Sequence, residues 1–384
     1  MSAPFVFGKI AQFDEFTDRT DDLNHLLGNF RNLVSTVIIS PRRWGKTSLA
    51  TQAVNQIRQE KGYLACMVDI FNSRSEEQFF NAYVNAVLRA SCSRMEEFVT
   101  AAKKYIGSFG PKLTFGDAAS GCEFTLGIDF KDRKYSKDEI LDLPQRIAQD
   151  RQKRFVVCID EFQNVGTYDQ PVEMQRKLRS HWQTHDKVGY CLFGSKRHMM
   201  LDIFANYNMP FYKFGDIVFL QKIGVDDWTT FIVRRFRDTG KSISPACARD
   251  IALRVECHPY YVQQLAQLSW LRTDGDCDEA TVNEAFNALV DQLSLLFSNL
   301  IDSLKARQIN FLLAVANGET RFTSAATLRN YDLGTSANVK NLRAAMLSRD
   351  LIDSTPQEGI SLQDPIFAYW LRERYSKGTV WAWG

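Results

Sequence analysis

Along the first 220 residues, short continuous apolar runs alternate with stretches whose apolar residues recur three and four positions apart. Val34, Val37, Ile38 and Ile39 form the first run. A helical pattern follows from Leu49 to Lys61, with Gly62 where a helix C-cap is expected. Before this run, Thr17 or Asp18 is a candidate cap for a helix carrying Leu23, Leu26, Leu27 and Phe30 on one face. Tyr63 to Phe71 reads as a second strand. Helices are predicted at roughly 75–92, with Phe79, Phe80, Tyr83, Val84 and Val87 as its core face, and at 94–106. Glycines then punctuate alternating stretches between 107 and 132, which predicts a β-hairpin insertion. A helix at about 136–152 leads to the run Phe155 to Ile159, as expected of a parallel strand buried on both faces. A helix at 170–185, a strand from Val188 to Phe193, a helix at 196–206 and a short strand at Val218 to Leu220 complete an alternating α/β pattern.

From about 224 the strand signal disappears. Helices are predicted near 225–239, 245–256, 259–272 and 278–297, a helical lid. Helices near 303–316, 323–330 and 335–349 precede a hairpin-like stretch at 351–363, with Pro356 and Gly359 at its tip. Helix–helix–helix–wing is the order of a winged helix. The predicted domains are an α/β core at 1–223, with its insertion at about 107–132, a lid at 224–299 and a winged helix at 300–384.

Composition narrows the class only modestly. The 384 residues are 45% hydrophobic and 24% charged, with a net charge of +2, so no gross charge imbalance names a partner. No run of 18 apolar residues suggests a membrane span, and Met1 to Phe5 lacks the basic and apolar segments of a secretory signal. The eight cysteines form no C-x-x-C pairs, which predicts a reducing, cytoplasmic setting without a zinc site. His181 and His185 are four apart with no intervening acid of a His-Glu-x-x-His motif, and are expected on an ordinary helix surface.

Chemistry concentrates between the first strand and the helix after it. Ser40-Pro41-Arg42-Arg43-Trp44-Gly45-Lys46-Thr47-Ser48 occupies the position of a P-loop. In such a loop, backbone N–H groups and the helix N-terminus bind phosphate oxygens. Lys46 is predicted to reach the β- and γ-phosphates, and Thr47 to place its hydroxyl on Mg²⁺. Ser40 stands where the full pattern has Gly; Gly45, where backbone and phosphate come closest, is present. Asp160 and Glu161 end the buried strand, so Asp160 is expected to hold Mg²⁺ opposite Thr47 and Glu161 to orient or deprotonate water. Ser195 ends the next strand, suited to sensing the γ-phosphate or to capping a helix.

Taken with Phe16-Thr17-Asp18-Arg19, Asp160-Glu161-Phe162-Gln163, Gly194-Ser195 and His258-Pro259-Tyr260-Tyr261, the loop resembles the archaeal-type ATPase family, a branch of P-loop NTPases close to the AAA+ and STAND groups. The similarity covers roughly residues 5–375. It implies an ASCE-type parallel-sheet core, a helical lid and a C-terminal winged helix. It implies ATP or ADP as ligand, with Phe16 and Arg19 near adenine, Pro259 near the base and His258 near the phosphates. Family members commonly carry an Arg in the segment matching Phe211 to Gly215, where this chain has Lys213, a point charge without a bidentate fork.

These readings predict a slow, Mg²⁺-dependent ATPase acting as a nucleotide-gated switch, with a protein partner or self-association and no membrane attachment. Two alternatives stay open. One is a nucleotide-regulated DNA-binding protein using Asn338, Lys340, Asn341 and Arg343 on the third helix of the winged helix. The other is a non-catalytic, ADP-bound interaction module. Residues 300–384 carry ten Lys and Arg against eight Asp and Glu, a weak footprint for DNA.

Overall fold

The apolar runs of the first 220 residues pair as five parallel strands. The computed structural model describes residues 4–9, 19–92, 94–106, 112–115, 124–127, 137–355 and 359–378. Strands β1 (Thr36–Ile39), β2 (Tyr63–Asp69), β5 (Arg154–Asp160), β6 (Val188–Gly194) and β7 (Asp216–Phe219) form one sheet in the order β2-β5-β6-β1-β7. Phe155 to Ile159 of β5 are fully buried, as their unbroken apolar sequence requires. The register pairs Asp69 with Asp160 and Ile39 with Gly194, which sets the polar strand ends side by side. Strands β3 (Lys112–Phe115) and β4 (Phe124–Gly127) pair antiparallel, so the insertion contains the expected hairpin; the rest of 107–132 lies outside the described residues.

Helices α1 (Thr20–Arg31), α2 (Lys46–Gln59), α3 (Glu76–Ala90), α4 (Met95–Ile106), α5 (Lys137–Leu141), α6 (Leu143–Asp150), α7 (Pro171–Trp182) and α8 (Arg197–Phe204) complete this unit, which comprises Arg19–Ser40 and Gly45–Gln221. The single helix predicted at 136–152 is two, because Asp142 and Pro144 begin a new first turn. An aromatic cluster fills one side of the sheet. Trp182 stacks on Tyr190 at 4.3 Å, and Phe162 packs against Trp182, Phe204 and Phe211.

His181 and His185 correct the sequence reading. They do not lie on an ordinary helix surface: both ring systems turn onto one oxygen of Asp142, with His181 Nδ1 at 2.8 Å and His185 Nε2 at 3.0 Å. His185 Nδ1 also meets the Tyr190 hydroxyl at 2.8 Å, and burial holds its pKa below the ordinary value. Periodicity marked the face but not the carboxylate at the α5–α6 corner.

The second unit comprises Met1–Asp18, Pro41–Trp44 and Lys222–Gly384. Helices α9 (Val225–Arg237), α10 (Pro245–Arg254), α11 (Pro259–Arg272) and α12 (Glu279–Asp302) bracket two two-residue strands, β8 (Ser242–Ile243) and β9 (Asp276–Cys277). Helices α13 (Ala306–Ala316), α14 (Ala325–Asn330) and α15 (Ser336–Ser348) precede the antiparallel wing of β10 (Ile352–Thr355) and β11 (Gly359–Leu362), and α16 (Pro365–Trp370) follows. Helix α12 runs through the 299/300 boundary expected from sequence, so its apolar face serves both helical segments. The N-terminal stretch, placed with the α/β core on sequence grounds, packs here: Phe5 lies edge-on to Phe231, and Arg235 Nε donates to the Pro4 carbonyl.

Candidate functional site

In the α/β unit, the polar residues collect where β1, β5 and β6 end. The loop after β1 turns into α2 through Gly45, whose φ of 90° lies in the left-handed region that glycine adopts without strain. Arg43 is also left-handed, at φ 63°. Lys46 opens α2 and is 5% exposed; its Nζ donates to the Ser40 carbonyl at 3.0 Å and to Ser40 Oγ at 3.2 Å. Serine at position 40 thus supplies a hydroxyl to the ammonium group, which glycine there could not. Arg19 precedes α1, is buried, and pairs with Asp22 at 3.0 Å. Its Nε lies 3.9 Å from where a Cβ on Gly45 would sit, so Arg19 stands beside the loop. Phe16 lies outside the described residues.

Thr47 Oγ1 donates to Asp160 Oδ2 at 2.8 Å, which joins the loop to β5 across 113 residues of sequence. Burial raises the Asp160 carboxyl to about 6; the Thr47 hydrogen bond opposes this, and the nearby Glu161 and Asp69 carboxylates add to it. A cation placed there would relieve both the burial and the crowding of negative charge. Among the described residues no three His, Cys, Asp or Glu side chains form a self-sufficient metal site. A hydroxyl with one carboxylate suits Mg²⁺, which takes its remaining oxygens from water and phosphates.

Glu161 adopts a left-handed φ of 57° and starts a 3-10 turn over Phe162–Thr167. Strain of this kind persists only where neighbours fix it. Phe162, fully buried in the aromatic cluster, provides that anchor, and the Glu161 N–H donates to Asp160 Oδ1 at 2.8 Å. Ser195 Oγ donates to Glu161 Oε2 at 2.8 Å. Gln163 Nε2 donates to the same oxygen. Sequence reasoning singled out Glu161 and Ser195 separately. It did not foresee that they bond each other, nor that Gln163 joins them.

In the helical unit, the Arg43 guanidinium lies over the Tyr260 ring at 4.6 Å, and Phe7 meets that ring edge-on. His258 precedes α11 with Pro259 in its first turn, as the motif predicted. His258 is 5% exposed, and its Nδ1 has no hydrogen-bond partner. Burial pushes its pKa down to about 3, with the charges of Arg43 and Lys222 acting the same way. Tyr261 donates to Asp364 Oδ2 at 2.5 Å, and Asp364 in turn caps α16 through the Ile366 and Phe367 N–H groups. On α15, Asn338 forms a capping box with Thr335, and Arg343 donates to Ser354 of the wing. Lys340 and Asn341 are exposed. Two of the four candidate contact residues are therefore engaged in holding the winged helix itself.

The chain has the five-stranded parallel-sheet fold found in solved Walker-type ATPases, followed by helices and a C-terminal winged helix. A family model described as "Probable winged helix domain" matches residues 295–373. Among solved structures, the chain is similar to the Walker-type ATPase paby2304 of Pyrococcus abyssi, with TM-score 0.68, 16% identity and coverage of 96% of this chain and 99% of that one. It is similar also to the ORC2 protein of Aeropyrum pernix in ADPNP–ADP complexes, with TM-score 0.57, 14% identity and 98% of each chain covered. The ORC1 protein of the same organism, in complex with DNA, gives TM-score 0.50 and 11% identity over 98% of this chain and 99% of that one. No curated protein sequence matches. The fold expected from the archaeal-type ATPase resemblance is the fold found. Among the described residues no helix is long and apolar enough to cross a membrane.

Proposed function

We propose that this protein binds ATP and slowly hydrolyses its γ-phosphate with Mg²⁺, acting as a nucleotide-gated switch. The observation that carries the reading is the convergence of a buried P-loop lysine, a Thr47–Asp160 pair and a Glu161–Ser195 pair at adjacent strand ends. The ATP-analogue-bound relative of the same fold supports adenine nucleotide as the ligand class.

Lys46 is pre-set at the mouth of the loop by Ser40, and on binding exchanges those bonds for phosphate oxygens. The N–H groups at the start of α2 add their dipole to the same anion. Thr47 and Asp160 are the residues that would hold Mg²⁺, which supplies charge neutralisation of the phosphates when bound. Glu161 accepts a proton from the attacking water, and the Ser195 hydroxyl holds that carboxylate in place. Positioning and electrostatics carry the rate, with no covalent intermediate on the protein. His258, whose Nδ1 has no hydrogen-bond partner, and Pro259 remain proposed nucleotide contacts. Pro41, Arg42, Trp44 and Ser48 remain proposed loop contacts, and Arg43 a cation whose partner in this structure is Tyr260.

Phosphate release from ATP is the test, measured with Mg²⁺ and with EDTA, beside Lys46→Ala. Mg²⁺-dependent release that is lost in Lys46→Ala supports the reading; equal release from both proteins would remove the P-loop from the chemistry. A second reading, DNA binding by the winged helix, has the exposed Lys340 and Asn341 in its favour.

A further inference from the structure

Gln163 lies two residues past Glu161 and is 1% exposed. Its Nε2 donates to Glu161 Oε2, the oxygen that also takes the Ser195 hydroxyl. Chemistry fixes the orientation of this amide, since turning it over would set a carbonyl oxygen against a carboxylate. Its Oε1 is buried without a hydrogen-bond partner and faces Gly194, the last residue of β6. A Cβ at position 194 would collide with that oxygen and would stand 3.2 Å from Met200 Sδ. The backbone at Gly194 is not in the left-handed region, so the demand for glycine comes from Gln163 and not from φ. An unpaired buried carbonyl is unfavourable, and the arrangement retains it while aiming the N–H at Glu161.

We propose that Gln163 is a positioning residue for hydrolysis. Its amide and Ser195 Oγ together clamp Glu161 Oε2, which leaves Oε1 as the oxygen presented to water. Gly194 provides the space in which that amide sits. The proposal rests on Glu161 acting as the base, and adds two residues that never touch nucleotide.

The experiment compares Gln163→Met, Gly194→Ala, Gln163→Ala and the Gln163→Ala/Gly194→Ala pair with the wild type. Each is measured for kcat of ATP hydrolysis, ATP affinity and melting temperature, with Glu161→Gln alongside. Methionine keeps the length but cannot donate, so kcat falls roughly tenfold, the scale of one hydrogen bond to a charged group, while ATP affinity stays within about twofold. Gly194→Ala causes a similar loss in the wild-type background and little further loss once Gln163 is alanine, because the atom it strikes is gone. This non-additivity in kcat, at unchanged ATP affinity, is a result that a packing role alone would not give. If Gln163→Met does not fold, the alanine cycle carries the same test. Wild-type kcat in Gln163→Met, or losses that multiply in the double variant, overturns the proposal. Should Glu161→Gln be inactive while Gln163→Met is fully active, only this inference fails. Should Glu161→Gln turn over like the wild type, the base assignment fails and the proposal falls with it.

Discussion

The strand ends of the α/β unit and the third helix of the winged helix use their polar residues in opposite ways. Around the P-loop, candidate residues bond to one another: Lys46 to Ser40, Thr47 to Asp160, Ser195 to Glu161. On α15, the candidates bond to scaffold: Asn338 to the Thr335 cap and Arg343 to the wing. The first arrangement holds the candidate groups in fixed mutual geometry, which is what catalysis by positioning would require. The second builds a stable helix and leaves few charges for a partner. A residue of a suitable type on a suitable helix is therefore weaker grounds for function than two such residues bonded across a hundred positions of sequence.

The largest effect expected is on the α/β side. Lys46→Ala should weaken ATP binding about a thousandfold, the loss of two or so charge-assisted hydrogen bonds to phosphate. Calorimetric titration checks it, and near-normal affinity would break the contrast. Phe162→Ala should destabilise the fold by about 3–5 kcal/mol, as removal of a fully buried ring does, and should release the left-handed Glu161 turn. A denaturation midpoint close to the wild type would show that the turn has another anchor.

His258 sharpens the contrast from the helical side. Its pKa lies near 3 in the folded chain against an ordinary value of 6.5. Between those values the folded state binds fewer protons than the unfolded state. Its contribution to stability is then whole above pH 6.5 and is lost as pH falls, by up to about 3 kcal/mol at pH 4. His258→Asn cannot take up the proton, so the melting temperature of the variant should decline less between pH 7 and pH 4 than that of the wild type. Parallel declines would place the acid sensitivity elsewhere.

The smallest effect is expected at α15. If DNA binds there, Lys340→Ala should reduce the salt slope of binding by about one, while Arg343→Ala acts mainly by loosening the wing. Loss of all binding in Lys340→Ala would reverse the ranking of the two regions.

Much of this was legible in the sequence. The run Val37 to Ile39, the loop through Lys46 and the helix beyond it follow strict patterns, and the structure reproduces them within a few residues. The Asp160-Glu161 pair was visible because a buried strand must end in something polar at its carboxyl edge. What sequence could not show was pairing. Nothing in a linear pattern says that Ser195 meets Glu161, that Gln163 requires Gly194, or that His181 and His185 share Asp142. Those depend on strand order, which places β6 between β1 and β5. The packing of residues 4–9 was equally hidden, because an irregular aromatic stretch carries no period that reveals which core it joins.

Under the proposed function, Glu161 performs the chemistry and the P-loop binds the nucleotide. Single-turnover hydrolysis with protein in excess of ATP, run on the wild type and Glu161→Gln, tests it most directly, because bound ATP and released phosphate are counted in the same sample. Equal ATP binding and a hydrolysis rate lower by about 10²–10⁴ in the variant, the usual contribution of a general base, are expected. Equal rates in the two proteins would contradict it.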